Sequence, residues 1–294
     1  MSSFPTRILV ATDGSALAIR AAVDLSSRSG SEVHVVHVWR RPMAVDYFLA
    51  RVAERSYAYE RENAKRLLED QTEKIKVSGG TLTKSHFREG RPAEEIVRLA
   101  EELSVGLVVI GSRGLGPVKR LVTGSVSEGV VHLAPCPTLV VRGGEGIWPT
   151  SRLIVGDDAS EEARRAGELA AGIGKLFDAR ALLVRVYPQV TVFKARRVSH
   201  VQASRELLKK GERSLEKRAA ELESILGTRP EVWVASGDAT AVLQEASEAG
   251  GEPALVAVGS RGLGDVQHFA LGSVSTGVLR AVSGPVLIVP SPGS

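Results

Sequence analysis

Gly111-Ser112-Arg113-Gly114, nine further residues, then Gly124-Ser125: this stretch decides the fold, because it returns as Gly259-Ser260-Arg261-Gly262, nine residues and Gly272-Ser273. An apolar run precedes each copy, Val108-Val109-Ile110 in one and Leu255-Val256-Ala257-Val258 in the other. Each copy therefore sits where a buried strand ends and a loop begins. Glycine lets the backbone approach a ligand closely and reach positive φ at little cost. Successive N–H groups of such a loop, followed by a helix N-terminus, make a favourable cradle for an anion. Ser125 and Ser273 can each add a hydroxyl donor for a phosphate oxygen. A ligand-free pair of tight strand-to-helix turns would also use glycine. Two copies with identical spacing, each opening Gly-Ser-Arg-Gly-Leu-Gly, favour phosphate binding.

Working outward, Arg7 to Ala11 is a short apolar run and predicts a buried strand. It stops at Thr12-Asp13-Gly14-Ser15, and Ser15 is placed to cap a helix from Ala16 to Ser27. Val33 to Val38 predicts the second strand, and a long polar helix follows from about Tyr47 to Val77. Leu82 to Phe87 alternates as a third strand. Pro92 to Leu103 predicts a helix with proline in its first turn. Leu107 to Ile110 is the fourth strand, Ser125 to Leu133 a short helix, and Pro137 to Val141 the fifth strand. Strands that alternate with helices predict a parallel sheet covered on both faces. Right-handed crossovers make that sheet doubly wound, in the Rossmann-like manner.

Gly143 to Ser151 is turn-rich and predicts a linker. The pattern then restarts. Leu153 to Ser160 matches Ile8 to Ser15 position by position, and Leu182 to Val186 matches the second strand. A second long helix is predicted over Ser204 to Leu226, followed by a strand at Val232 to Ala235 and a helix at Ala239 to Ala249. Strands at Leu255 to Val258 and Val286 to Val289 close the set. The offset between copies is 158 − 13 = 145 at the aspartates and 259 − 111 = 148 at the glycine loops, so the second copy has three extra residues near its first helix. A repeat this long is a domain duplication, with expected domains 1–146 and 147–294.

The length of 294 residues allows two domains, each with its own core. The one cysteine, Cys136, excludes an intramolecular disulfide and fits a reducing compartment. No run approaches the roughly 18 apolar residues of a membrane span, and the first residues lack the apolar centre of a signal peptide. These features predict a cytoplasmic location. The net charge of +4 is mild and aromatic residues make up only 4%, which argues against a nucleic-acid surface.

The residues quoted above resemble the universal stress protein family, in its ATP-binding branch. The resemblance covers nearly the whole chain as two tandem domains. Its most specific element is Gly-x2-Gly-x9-Gly-(Ser/Thr), which both copies satisfy, ending Gly124-Ser125-Val126 and Gly272-Ser273-Val274. Family members that do not bind nucleotide typically lose these glycines. The resemblance implies a strand order of 3-2-1-4-5, with ATP over the C-terminal ends of strands one and four. It implies that Asp13 and Asp158 bond the nucleoside, and that Val38 and Val186 read the adenine edge through their backbones. Ile110 with Gly111, and Val258 with Gly259, would border the ribose. Gly114, Gly124, Ser125 and Val126, and equally Gly262, Gly272, Ser273 and Val274, would hold the phosphates, with Mg²⁺ held through those phosphates. It further implies that the fifth strands pair in an internal pseudo-dimer, with homodimerisation left open and a protein partner of unknown identity.

Other sites are less well supported by the residues. His34 and His37 are three apart, which puts them on opposite faces of a strand, and no acidic or cysteine neighbour completes a metal set. They read as structural or surface histidines. The chain has no Gly-x4-Gly-Lys-(Ser/Thr) loop, and Gly111 to Gly116 has the order G-x-x-G-x-G, unlike the dinucleotide fingerprint. No catalytic residues stand out. The function predicted is ATP binding in stress response or signalling, through nucleotide-dependent conformation or partner binding. The alternative is a slow ATPase or nucleotidyl-transferring enzyme, which would need a base and a positioned water. The two sites are expected to be unequal. Domain 1 has Lys119 and Arg120 where domain 2 has Gln267 and His268, and domain 2 adds Asp265 for Pro117 and Asp157 for Thr12.

Overall fold

In the computed structural model, Arg7–Ala11 forms strand β1, whose Ile8, Leu9 and Val10 are fully buried. The structure describes residues 4–40, 50–78, 82–112, 124–142, 147–188, 197–251, 254–262 and 271–291. They fall into two units that meet at Arg142 and Gly143.

In the first unit β1 leads to α1 (Ala16–Ser29), β2 (Glu32–Trp39), α2 (Ala50–Val77) and β3 (Leu82–Glu89). Then come α3 (Pro92–Glu102), β4 (Leu107–Gly111), α4 (Ser125–Leu133) and β5 (Thr138–Val141). The strands lie in the order β3-β2-β1-β4-β5, with every pair parallel. The second unit repeats the plan. Its elements are β6 (Arg152–Gly156), α5 (Glu161–Leu176), β7 (Arg180–Tyr187), α6 (Arg197–Leu226) and β8 (Glu231–Ser236). They continue as α7 (Ala239–Glu248), β9 (Leu255–Gly259), α8 (Ser273–Ala281) and β10 (Val286–Val289). Its order is β8-β7-β6-β9-β10, again parallel. In each unit the order is 3-2-1-4-5, as the family resemblance implied.

Helices α1 and α2 pack against one another, as do α3 and α4, so two helices serve each face of the sheet. The second unit pairs α5 with α6 and α7 with α8. Central strands are consequently buried on both sides: β9 is wholly buried apart from Gly259, and the middle of β6 is buried from Leu153 to Val155. This explains why they read as unbroken aliphatic runs. The chain leaves β1 toward one face and β4 toward the other, which opens a crevice at their C-terminal ends. The same holds for β6 and β9.

Local chemistry sets the ends. Pro92 opens α3 at a position where its missing N–H is no loss. Gly30 ends α1 with a left-handed φ of 75°, its N–H bonded to Ser26 O at 2.8 Å. Ser160 caps α5 by accepting from Ala163 N at 3.1 Å. Ser15 corrects the sequence expectation: it occupies the N-cap position of α1 but its side chain makes no cap bond. The described end of the expected linker, residues 147–151, is irregular, with Trp148 buried edge-on against Phe177 of the second unit, ring centroids 5.5 Å apart. Strand β3 runs past Phe87 to Glu89, and α6 starts before Ser204 at Arg197. The β3 extension, Arg88-Glu89, is polar and carries little periodic signal, whereas the α6 extension holds Val198 and Val201 at helical spacing, a signal that the expected start at Ser204 passed over.

Candidate functional site

The turns after β1 and β6 are built alike. Thr12 N donates to Val36 O, and Asp157 N to Val184 O, each at 2.9 Å. Thr12 Oγ1 then accepts from Gly14 N at 3.1 Å, and its counterpart Asp157 Oδ1 from Ala159 N at 2.9 Å. One residue on, Asp13 Oδ1 accepts from Ser15 N at 3.0 Å, and Asp158 Oδ1 from Ser160 N at 2.9 Å. Two short side chains in succession thus replace the backbone partners the turn lacks. Each aspartate spends one oxygen on the turn. In the second unit Oδ2 of Asp158 faces Gly262 across the crevice. The turn needs a left-handed residue, which Gly14 supplies at φ 101° and Ala159 at φ 72°.

The glycine loops also close alike. Gly124 N donates to Ser112 O and Gly272 N to Ser260 O, both at 2.7 Å. Ser127 Oγ bonds Gly124 O at 2.9 Å and reaches Ser112 O at 3.3 Å. Ser275 Oγ bonds Ser260 O at 2.8 Å and Gly272 O at 3.0 Å. Gly124 and Gly272 are the N-cap residues of α4 and α8 and have no side chain to cap with. The N–H groups of the first helical turn therefore keep their donor capacity for an anion. A β-carbon on Gly272 would stand 3.2 Å from Ser260 O and 3.4 Å from Arg261 Cα, so backbone is on the far side of that position.

A crevice of about 240 Å³ in the first unit is lined by Asp13, Val38, Ile110, Gly111, Gly124, Ser125 and Val126, with Val36, His37, Pro92 and Ile96. One of about 390 Å³ in the second is lined by Asp158, Val186, Val258, Gly259, Gly262, Gly272, Ser273 and Val274, with Val184, Ala239, Leu243 and Arg261. Every residue singled out from the sequence is brought to one of these crevices, except Gly114. Gly114 lies outside the described residues, as do loop residues 115–123 and 263–270, which carry Pro117, Lys119, Arg120, Asp265, Gln267 and His268.

Two further relationships were not expected. His37 Nδ1 lies 2.8 Å from Thr12 O, and since a carbonyl only accepts, Nδ1 carries the proton. His37 is therefore structural, as expected, but it also lines the crevice. Its counterpart Arg185 donates from Nε to Asp157 O at 3.1 Å and from Nη2 to Asp157 Oδ1. Arg218 of α6 places Nε 3.7 Å from Asp157 Oδ2. Burial opposes the charge on Arg185, yet its bond to Asp157 holds its pKa above the usual arginine value. This corrects the expectation that Asp157 adds negative charge to the second site, because two guanidinium groups offset it. Ser127, Ser275, His37 and Arg185 were not singled out as site residues. For the two serines a signal existed, since Gly-Ser-Val-Ser occurs at both 124–127 and 272–275.

Away from the crevice, His34 and His86 stack with Nδ1 and Nε2 3.0 Å apart. Burial and then the His34 charge push His86 down to about 4, and burial also lowers His34. Among the described residues no group of three or more His, Cys, Asp and Glu is arranged to hold a metal ion. No described helix is long and apolar enough to cross a membrane.

The model of the universal stress protein family matches residues 5–142 and again 149–290. The chain belongs to the universal stress protein family. It does so as a tandem member, and single-unit relatives agree. A universal stress protein of Bacillus subtilis (strain 168) is 35% identical over 147 residues, covering 46% of this chain and 98% of that protein. One from Methanocaldococcus jannaschii is 32% identical over 142 residues, covering 46% of this chain and 81% of its own length. The crystal structure of a universal stress protein from Archaeoglobus fulgidus DSM 4304 covers 100% of both chains at a TM-score of 0.68 and 22% identity, a likeness of fold.

Proposed function

We propose that each unit of this universal stress protein binds one ATP, with Mg²⁺ held through the phosphates, and that bound nucleotide sets conformation or partner affinity in stress response or signalling. The observation that supports this is the duplicated site. The same turn, the same loop closure and the same uncapped helix N-terminus occur twice around two crevices.

The residues fit such a ligand. The N–H groups opening α4 and α8 favour phosphate through their direction and the helix dipole. Ser125 and Ser273 add hydroxyl donors. Gly262 and Gly272 keep the cradle free of β-carbons, which at Gly272 would press on backbone and at Gly262 on Asp158. Asp13 and Asp158 offer carboxylate oxygens to ribose hydroxyls, while Val36, Val38 and Ile96, or Val184, Val186 and Leu243, give the apolar walls a base requires. Mg²⁺ would supply charge neutralisation to the phosphates.

Thermal unfolding with and without millimolar ATP and Mg²⁺ tests the proposal. A ligand that binds only the native state raises the melting temperature with concentration. No shift would contradict it, and a shift with AMP or cyclic AMP alone would change the ligand.

A further inference from the structure

The carbonyl at the end of each first strand is held from the neighbouring strand by a side chain, and the two units do this with different chemistry. His37 holds Thr12 O at 2.8 Å, and Arg185 holds Asp157 O at 3.1 Å. The N–H of the same residue is already bonded to Val36 O or Val184 O. Residue 12, and equally 157, is thus fixed on both of its peptide groups. We propose that His37 and Arg185 are positioning residues that set the carboxylates of Asp13 and Asp158 for a ligand carrying vicinal hydroxyls, the ribose of a nucleotide. This inference rests on the ATP proposal above.

The physical case is one of restraint. A buried carbonyl without a partner loses a hydrogen bond it must otherwise find elsewhere. Removing the side-chain donor lets the peptide between residues 157 and 158 rotate, and the aspartate turns with it. The second unit needs the restraint more. Ala159 is held at φ 72°, which an L-residue with a β-carbon disfavours. Asp157 Oδ1 bonds Ala159 N and Arg185 Nη2 together, so the guanidinium supports the strained turn directly. Arg218 extends the hold to α6, donating to Arg164 O at 2.5 Å while its Nε faces Asp157. The cluster is buried: Asp157 is 5% exposed and Arg185 7%.

The test uses the full chain carrying Gly124→Val, which leaves the second site to be read alone, titrated with Mg²⁺-ATP and with Mg²⁺-2′,3′-dideoxy-ATP. A charged acceptor for the hydroxyls gives a preference for ATP of about tenfold or more. In Arg185→Met the preference is expected to shrink to about twofold while dideoxy-ATP affinity changes little. Arg185→Lys keeps the charge but not the planar fork and falls between. Equal weakening of both nucleotides in Arg185→Met, or retention of the full preference, overturns the assignment. Where Arg185→Met fails to fold, judged by its unfolding transition without ligand, His37→Leu with Gly272→Val makes the same test at the first site, with the same two outcomes. If the starting chain binds no ATP, the ATP proposal falls and this assignment with it. If it binds ATP and dideoxy-ATP alike, only the assignment falls.

Discussion

Oδ2 of Asp158 lies 2.6 Å from the point where a β-carbon on Gly262 would stand. The end of the first strand of the second unit and the glycine loop after its fourth strand therefore meet across the crevice. Glycine at 262 leaves the carboxylate the space that a side chain would otherwise take.

Gly262→Ala is expected to push that carboxylate aside. Gly262 is exposed, so stability should change by no more than about 0.5 kcal/mol. ATP affinity of the second site should drop about tenfold, by loss of one charge-assisted hydrogen bond. Calorimetry in the Gly124→Val background checks the affinity, and urea unfolding checks the fold.

Ala159 and Gly14 hold the same place in the two turns, at φ 72° and 101°. Ala159→Gly should stabilise the protein by up to about 1 kcal/mol, since relief of left-handed strain exceeds the added freedom of the unfolded chain. Gly14→Ala should destabilise by about 1–2 kcal/mol. Equilibrium denaturation measures both, and opposite signs are the expected result.

Gly174 of α5 lies against the core, where an added β-carbon would come within 2.5 Å of Leu153 Cδ1 and 2.8 Å of Leu226 Cδ1. Gly174→Ala overfills this contact and should destabilise by about 1–3 kcal/mol. The crevice is elsewhere, so the number of ATP bound per chain should stay the same under native conditions.

The His34–His86 pair predicts a pH effect on stability. Both pKa values are lowered in the fold, His86 to about 4, with burial the leading cause. Glu32, Arg7 and Lys84 act on His34, and Lys84, Arg88 and Glu102 on His86. In the unfolded chain both histidines gain protons near 6.5, so the unfolded state binds more protons than the native state below that pH. The pair's contribution is complete above about 6.5 and declines as pH falls toward 4. His86→Leu should flatten this part of the stability profile relative to the parent, and parallel profiles would refute the effect.

Much of the fold was legible because duplication supplied an internal control. Apolar runs at Ile8 and Leu153, and at Leu107 and Leu255, recur in the same order in the two copies, and the glycine loops follow Leu107 and Leu255 at the same distance. Burial on both faces is what makes those runs continuous. Side-chain partners were less legible, because a bond between residues far apart in sequence leaves no periodic mark. His37 finds Thr12 O, and Arg185 finds Asp157, only once β2 or β7 lies beside the first strand. Treating Asp157 as a loose negative charge failed for the same reason, since Arg218 comes from a helix some sixty positions on. Ser15 and Ser160 hold the same place after the same turn, each with its N–H on the preceding aspartate, yet only Ser160 makes the cap bond, so residue type and position alone do not decide it.

Titration of Mg²⁺-ATP into the full chain, with stoichiometry as the readout, tests the two-site account most directly. The duplicated cradle predicts two ATP per chain, one in Gly124→Val, one in Gly272→Val and none in the double variant. No binding by the parent chain, or a stoichiometry that neither substitution changes, would contradict it.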